Sequence, residues 1–282
     1  MKNKLKLSII TINYNNAAGL KKTLDSVESQ TCTNFEHIII DGASTDGSVE
    51  IIRGYENALA SCLSPLASRL KWLSESDTGV YNAMNKGIKM AQGEYLLFLN
   101  SGDYLINNSV ISSLLRYDCT ADILCARCNI SDKGNVVWTS NPPETITFGT
   151  LYTVGIAHQS TFIRKSLFEK IGCYDESYRY NADIAFWYQA ILENHATTQR
   201  IDVITTDYNL DGISSTENRS AKYIAEMDKI LAPYRLFTKD YDYFIQREKD
   251  RYLFDWLKSR TILYKLTFLI YKIERKVKKL FQ

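Results

Sequence analysis

Four apolar runs in the first hundred residues each end in a polar loop, and a helical pattern follows each of the first three. The runs cover residues 5–12, 37–40, 70–73 and 95–99. Short β-rich runs of this kind are typical of strands that are buried on both faces. Because strands alternate with helices, the order predicts an α/β fold with a mostly parallel central sheet, right-handed crossovers and flanking helices.

Polar residues follow each of the four predicted strands, and they are centred on Asn13, Asp41, Asp77 and Asp103. The carboxyl ends of parallel strands lie at one edge of a sheet, where such sheets bind ligands, so we expect these clusters to meet. Asp103 is suited to hold a divalent cation on a nucleoside diphosphate, and Asp41 to accept a hydrogen bond from its base or ribose. For any one of these residues alone, a helix cap or turn is the better interpretation, and their joint occurrence indicates a site.

The pattern loosens after residue 120. Residues 123–130 and 136–139 predict two strands joined in a hairpin by the turn at 132–135. A further strand is predicted near 160–163, and a helix over 184–192 begins directly after Asp183. We therefore expect a catalytic domain over residues 1–215, with a nucleotide-binding part of about 1–120 and an acceptor-side part of about 121–215, followed by a helical extension over 216–282.

The composition excludes several classes of protein. Lys and Arg number 34 against 32 Asp and Glu, a net charge of +2, so nucleic acid is not an expected partner. With 45% hydrophobic residues, 13 Gly and 4 Pro, the chain is neither collagen-like nor disordered. Of the six cysteines only Cys125 and Cys128 have metal spacing, and buried reduced thiols explain them better than zinc. Reduced cysteines and the lack of a signal-peptide pattern predict a cytoplasmic protein.

The C-terminal residues 251–282 differ from the rest in charge. They contain nine basic and two acidic residues, a net charge of +7, which leaves −5 for the first 250 residues. A helical apolar stripe runs through Ile262, Leu266, Leu269 and Ile273, and its uncharged stretch is far shorter than the ~20 residues needed to cross a bilayer. We interpret this tail as a surface anchor on an anionic membrane, peripheral at the inner face of the plasma membrane. Packing on the catalytic domain or on a second subunit is the alternative.

Five segments, in order along the chain, resemble the motifs of the family 2 glycosyltransferases. They are SIITINYNN from Ser8, IIIDGASTDGSVE from Ile38, SESDTGVYNAMNKGI from Ser74, GEYLLFLNSGD from Gly93 and HQSTFIRKSLFEKIGCYDESYRYNADIAFWYQA from His158. The match covers roughly residues 5–215 and is nearest to bacterial members of GT-A fold that build capsular, exopolysaccharide or O-antigen chains. The resemblance therefore implies a GT-A fold.

The resemblance assigns roles to individual residues. It implies that the nucleotide-sugar is bound by Thr11, Asn13, Asp41, Asp77 and Asn85. Of these, Asp41 matches the acid that reads the base, commonly uracil. Asp103 matches the last acid of the Asp-x-Asp motif, which holds Mn²⁺ or Mg²⁺ on the diphosphate. Ser101 stands in place of the first acid of that motif and contributes no charge, which leaves the metal's identity open.

Asp183 matches the family's catalytic base. Sugar transfer with inversion is a single in-line displacement in which one carboxylate takes the proton of the acceptor hydroxyl. From the residues alone, Asp183 could instead complement a helix dipole, and Asp175 and Glu176 are nearby competitors. His158 is a candidate metal or phosphate ligand, and His158 and Gln159 are candidate acceptor-side residues, although a structural histidine explains His158 equally well.

The sequence thus predicts an inverting, metal-dependent glycosyltransferase. It would move a sugar from a nucleotide-sugar, UDP-linked in our interpretation, to a saccharide or lipid-linked acceptor in cell-surface polysaccharide biosynthesis. A nucleotidyltransferase is one alternative, although Ser8 to Asn16 contain no glycine or basic residue to cradle a triphosphate. A non-catalytic membrane-docking protein on the same fold is the other.

Overall fold

The structure, a computed structural model, describes residues 7–114, 116–132, 134–210 and 220–259. The chain forms two compact units, the first ending at Ile230 and the second beginning at Leu231. The domain boundary expected at residue 215 lies in a segment outside the described residues and stays a prediction.

Strands and helices alternate along the first half of the first unit, as predicted. In chain order they are β1 (Leu7–Asn13), α1 (Ala17–Glu28), β2 (Phe35–Asp41), α2 (Ser48–Ser61), β3 (Leu70–Ser74), α3 (Val80–Met90), β4 (Tyr95–Phe98), β5 (Tyr104–Leu105) and α4 (Val110–Leu114). The second half contains more antiparallel structure. It comprises β6 (Ile123–Asp132), β7 (Asn135–Thr139), α5 (Phe148–Thr153), β8 (Thr161–Arg164), α6 (Lys165–Ile171), α7 (Ala182–Trp187), β9 (Thr198–Asn209) and α8 (Ala221–Leu231).

These strands form one sheet in the order β3-β2-β1-β4-β8-β6-β9-β5, and β7 pairs with the outer part of β6. The pairs β3-β2, β2-β1 and β1-β4 are parallel, which confirms the predicted parallel arrangement. Strand β8 runs antiparallel to both β4 and β6, while β6 and β9 are parallel to each other. The predicted β6–β7 hairpin is also confirmed.

Burial along β1 shows that the sheet is covered on both faces. Ile9 and Ile10 both have 0% exposed surface. Because neighbouring residues of a strand point to opposite faces, helices or loops must pack on each side. One of these layers includes α1, whose Leu20, Leu24 and Val27 are buried in the same core cluster as Ile9. The predicted packing of helices on the sheet is therefore confirmed.

A buried histidine on β2 makes stability depend on pH. His37 contacts the Thr11 hydroxyl through Nε2 at 3.0 Å and the Tyr55 hydroxyl through Nδ1 at 3.4 Å. Burial lowers the pKa of His37 from 6.5 to about 3. Below pH 6.5 the unfolded chain takes up a proton that the folded chain does not, so the free energy of unfolding falls as the pH drops from 6.5 toward 3.

We expect this histidine to cost about 2 kcal/mol of stability between pH 6.5 and about pH 5. His37→Gln should lose this part of the pH dependence, which urea unfolding at both pH values would measure. His195→Asn is the matched control, because His195 is exposed and its φ of 54° suits asparagine. The expectation would be contradicted if the free energy of unfolding changed equally between the two pH values in wild type and in His37→Gln.

The second unit contains one long helix, α9 (Arg235–Ser259). Its exposed apolar and aromatic side chains include Leu236, Phe237, Tyr243, Phe244, Tyr252, Leu253 and Trp256. No helix in the described ranges combines the length and hydropathy needed to cross a bilayer. The apolar stripe predicted from Ile262 to Ile273 lies outside the described residues.

Candidate functional site

The carboxyl ends of β1, β2 and β3 are level, and a hydrogen-bonded row of side chains crosses them. Asn13, Asp41 and Ser74 are aligned in register. The Asp41 carboxylate accepts from Asn13 Nδ2 at 2.8 Å, from Ser74 Oγ at 2.7 Å, and from Ser44 Oγ at 2.6 Å and Ser44 N at 3.0 Å. Burial raises the pKa of Asp41, but the bonds from Ser44, Ser74 and Asn13 outweigh it and the pKa is lowered. Asp41 is therefore an anion at neutral pH.

Among the described residues, one side-chain oxygen in this row has no hydrogen-bond donor, and it belongs to Asn13, not to Asp41. Four donors already occupy the roughly four acceptor positions of the Asp41 carboxylate. The Oδ1 atom of Asn13, in contrast, is buried and has no hydrogen-bond partner in the described part of the chain. Thr11 is fully buried and its hydroxyl contacts His37. Direct contact of Asp41 or Thr11 with a nucleoside stays a prediction.

The loop after β4 is tied to the start of α1 through Asn16. Asn16 Oδ1 accepts from Gly19 N at 3.1 Å and caps α1, while its Nδ2 donates to the Ser101 carbonyl at 3.0 Å. The Thr23 hydroxyl, about two turns after Asn16, donates to the Asp103 carbonyl at 2.6 Å. The first helix thus fixes both ends of the Ser101–Asp103 segment.

Asp77 lies beside the loop that follows β2. Its Oδ1 accepts from Gly79 N at 2.9 Å. A Cβ at Gly42 would come within 2.7 Å of Asp77 Oδ2, so a larger residue at position 42 would require the Asp77 side chain to move. The third strand's polar loop therefore reaches the same edge of the sheet, as expected.

The side chain of Asn85 is engaged by the loop that precedes α7. Its Nδ2 donates to the Tyr174 carbonyl and to Glu176 Oε1, both at 2.9 Å, and its Oδ1 accepts from Tyr174 N at 3.0 Å. These bonds fasten α3 to the loop before α7. Contact of Asn85 with a nucleotide stays a prediction, because all three bonds are made within the protein.

Asp103 lies in the interior at the end of the β4 loop, with only 6% of its surface exposed. Burial raises the pKa of Asp103 to about 7, although His158 nearby and the backbone N–H of Asn209 act in the opposite direction. Asp207 is a second acidic neighbour and also raises this pKa.

The residues around Asp103 fit a divalent cation. Asp103 supplies a hard carboxylate oxygen, and Asn100 Oδ1 is buried without a hydrogen-bond partner in the described ranges. His158 Nε2 lies 3.3 Å from the Asn100 amide nitrogen. Within the same ranges no three His, Cys, Asp or Glu side chains are grouped to hold a metal. Oxygens of the substrate and water would have to complete the coordination.

A chain of hydrogen bonds joins this cluster to Asp183, in the first turn of α7. Asp183 Oδ1 accepts from the Tyr81 hydroxyl at 2.8 Å, and Oδ2 contacts His158 Nδ1 at 3.0 Å. Burial raises the pKa of Asp183, but the His158 and Tyr81 contacts outweigh it and the pKa is lowered. Conversely, burial lowers the pKa of His158, but Asp183 and Asp103 outweigh it and the pKa is raised. Across this contact each of the two residues therefore favours the charged form of the other.

Two members of this chain, Tyr81 and Asn100, were not among the residues expected from the sequence. Both lie in segments that carry the family resemblance. A tyrosine in a helix and an asparagine after a strand are also common structural residues, so no local signal separated them from their neighbours. Gln159 lies beside His158 but is buried, and its contact with an acceptor stays a prediction.

Sequence comparison with known proteins identifies relatives of this chain. The sequence profile of "Glycosyl transferase family 2" matches residues 8–172. A PGL/p-HBAD biosynthesis glycosyltransferase of Mycobacterium bovis is 32% identical over 220 residues, which cover 74% of this chain and 79% of the relative. The Escherichia coli enzyme WfaP, named a UDP-Glc:alpha-D-GlcNAc-diphosphoundecaprenol beta-1,3-glucosyltransferase, is 27% identical over 225 residues, which cover 78% and 83%.

A solved structure shares the fold. S. aureus TarS 1-349 in complex with UDP-GlcNAc aligns with a TM-score of 0.58 at 22% identity, over 72% of this chain and 58% of that one. This confirms the expected GT-A fold class, and the chain spans less than two thirds of that TarS structure. Family membership is shown by the sequence profile and by the 32% identical relative. The chain therefore belongs to glycosyl transferase family 2 and is a glycosyltransferase.

Proposed function

We propose that this glycosyltransferase transfers a sugar with inversion from a UDP-sugar to a saccharide or lipid-linked acceptor in the assembly of a cell-surface polysaccharide. The observation that carries the proposal is the chain of contacts from Tyr81 through Asp183 and His158 to Asn100, next to Asp103. It holds an ionised carboxylate beside the cluster that fits a cation. The names of WfaP and of the TarS complex support a UDP-linked donor, and the name of WfaP supports a lipid-linked acceptor.

In this proposal Asp183 is the catalytic base. The acceptor hydroxyl oxygen forms a bond to the anomeric carbon while the bond from that carbon to the diphosphate oxygen breaks, and the hydroxyl proton passes to Asp183. A carboxylate has about four acceptor positions, so the contacts with Tyr81, His158 and the Ile184 N–H leave about one for the acceptor hydroxyl. Those contacts also fix the direction in which the free position points.

Asp103 and Asn100 Oδ1 are the groups that would hold a divalent cation, which the family resemblance implies. His158 would join them only in its neutral form, with Nε2 turned from the Asn100 amide to the cation. When bound, the cation stabilises charge on the departing diphosphate. His158 has a second part to play, because its contact with Asp183 keeps the base ionised despite burial. One imidazole thus couples the base to the leaving-group side of the site.

Asn13 is the residue that we assign to the nucleoside base. Its unpartnered Oδ1 is an acceptor at the level edge of the sheet, and Asp41 holds its Nδ2. A uracil ring N–H is a donor of the right kind for that oxygen. Asp41 acts on the base through Asn13 in this arrangement, by fixing which way the amide faces.

Binding of UDP in the presence of Mn²⁺ is the first expected result. We expect calorimetry with UDP, GDP, CDP and dTDP, each with and without Mn²⁺, to show a preference for UDP that depends on Mn²⁺. Asn13→Asp removes the Nδ2 donor that Asp41 holds and places a second carboxylate beside Asp41. The lost bond and the like-charge repulsion should displace the acceptor oxygen and weaken UDP binding about tenfold or more. Folded protein that binds none of the four nucleotides would overturn the proposed function.

We also propose that the basic tail, residues 251–282, attaches the protein to anionic membranes. The tail's charge of +7 supports this, and so do the exposed Tyr252 and Trp256 on α9, since aromatic rings favour the membrane interface. Deleting 251–282 should abolish co-sedimentation with vesicles rich in phosphatidylserine. Vesicles of phosphatidylcholine alone are the control, and binding that survives the deletion would count against the tail.

A further inference from the structure

Glu226 on α8 has a buried carboxylate that accepts hydrogen bonds from the backbone immediately before Asp183, the candidate base. Glu226, with 8% of its surface exposed, accepts from Arg179 N at 2.7 Å, Tyr180 N at 3.0 Å and Asn181 N at 3.2 Å. It also accepts from Asn181 Nδ2 at 3.3 Å. Within the described ranges Glu226 makes no ion pair, so these N–H groups alone compensate its burial. Three successive amides around one carboxylate form a charge-assisted set of strong hydrogen bonds.

The same segment is held from its other side by α3. The Tyr81 hydroxyl lies 2.6 Å from the Tyr180 carbonyl and 2.8 Å from Asp183 Oδ1. A hydroxyl has one hydrogen to donate, so it is shared between these two acceptors. Asn181 Nδ2 additionally donates to the Tyr223 carbonyl of α8 at 3.2 Å. Two helices thus fix residues 179–181, and α7 begins directly after them.

Helix α7 starts from this fixed backbone. The Asn181 carbonyl accepts from Ala185 N at 2.9 Å and forms the first turn, which carries Asp183. A shift of residues 179–181 would therefore move the Asp183 carboxylate relative to His158. Misplacement by about 1 Å can cost on the order of 10²-fold in rate.

We propose that Glu226 is a positioning residue for Asp183, which it orients by binding the three backbone amides of residues 179–181. The inference rests on the proposed function, in which Asp183 is the base. Glu226 lies outside the part of the chain that the family profile matches and outside the segments that carry the resemblance. The site would therefore depend on α8 as well as on α3 and α7, which carry Tyr81 and Asp183.

The test compares Glu226→Ala and Glu226→Gln with wild type under steady-state conditions. We expect Glu226→Ala to lower kcat about 10²-fold with little change in the KM for the donor, because the nucleotide edge is untouched. Glu226→Gln keeps one acceptor oxygen, so its kcat should lie between those of wild type and Glu226→Ala. Formate should restore part of the kcat of Glu226→Ala, since it can occupy the three amides that the truncation leaves open. Hydrogen exchange of the amides of 179–181 should accelerate in Glu226→Ala.

Glu36→Gln is the matched control. Glu36 is also a buried carboxylate that accepts from two successive backbone amides, Gln92 N and Gly93 N. It lies on β2 near the end opposite Asp41, away from the site. We expect Glu36→Gln to change stability without changing kcat per folded molecule or producing a response to formate.

The outcomes separate the inference from the function on which it rests. Wild-type protein that neither binds a nucleotide nor transfers a sugar would overturn the proposed function. If wild type is active, full kcat in both Glu226 variants would overturn the positioning role. So would a loss of kcat that formate does not restore and that Glu36→Gln reproduces, because that pattern indicates general destabilisation.

Discussion

Asp183→Asn is expected to lower kcat by about 10²–10⁴-fold and to leave donor binding within about twofold of wild type. The amide is the same size as the carboxylate and can still accept from Tyr81, but it cannot take up the proton of the acceptor hydroxyl. The loss should therefore fall on the chemical step. Steady-state kinetics for kcat, together with calorimetry for the donor nucleotide, would separate the two effects.

Asp175→Asn is the control for that experiment. Asp175 lies in the same region and is exposed, and its carboxylate accepts from Ser177 N at 2.9 Å. We expect activity close to that of wild type. Full activity of Asp183→Asn would remove Asp183 from the role of base, and loss of activity in Asp175→Asn alone would transfer that role to its competitor.

Asp103→Asn is expected to abolish the Mn²⁺-dependent part of UDP binding and to lower kcat by about 10³-fold. A metal contributes several kcal/mol of charge stabilisation at a departing diphosphate, and about 1.4 kcal/mol corresponds to a factor of ten. Asp103 is the one charged oxygen ligand that the Asp-x-Asp position retains here, because Ser101 is neutral. Calorimetry with UDP over a Mn²⁺ titration would measure the loss.

Ser101→Ala serves as the control for Asp103→Asn. It removes an oxygen from the same motif without removing charge, and the hydrogen bond from the Asn16 side-chain amide to the Ser101 carbonyl is kept. The Mn²⁺ dependence should stay within about twofold of wild type. Unaltered activity of wild type in excess chelator would contradict the metal role of Asp103 altogether.

The first half of the fold was readable from sequence because its strands are buried on both faces. Runs such as residues 5–12 and 95–99 are apolar and rich in β-forming residues, and their short length separates them from buried helices. Strand β9 (Thr198–Asn209) was not predicted, although it pairs with β6 over most of its length. It contains Asp202, Thr205 and Asp207, whose burial or exposure depends on neighbours that are distant in the chain.

Part of the candidate site was predictable from sequence, and part of it depends on tertiary packing. Carboxylates at strand ends follow from the order of strands, and Asn13 and Asp41 are indeed hydrogen-bonded to each other. The contact of Tyr81 with Asp183 joins residues that are 102 positions apart, and no periodic pattern encodes such a pair. Tertiary packing also decided the use of Asn85, whose amide fastens a loop.

The reversed strand β8 explains how one edge of the sheet collects residues from both halves of the chain. A strand that ran parallel to β4 would begin at the opposite edge, whereas β8 begins where β4 ends. His158, three positions before Thr161, therefore meets residues that follow β4. Two blocks of sheet, β3-β2-β1-β4 and β6-β9-β5, share this four-residue strand as their hydrogen-bonded seam. Because β8 pairs with both blocks, a substitution that unpairs this strand would also disturb the contact between Asn100 and His158.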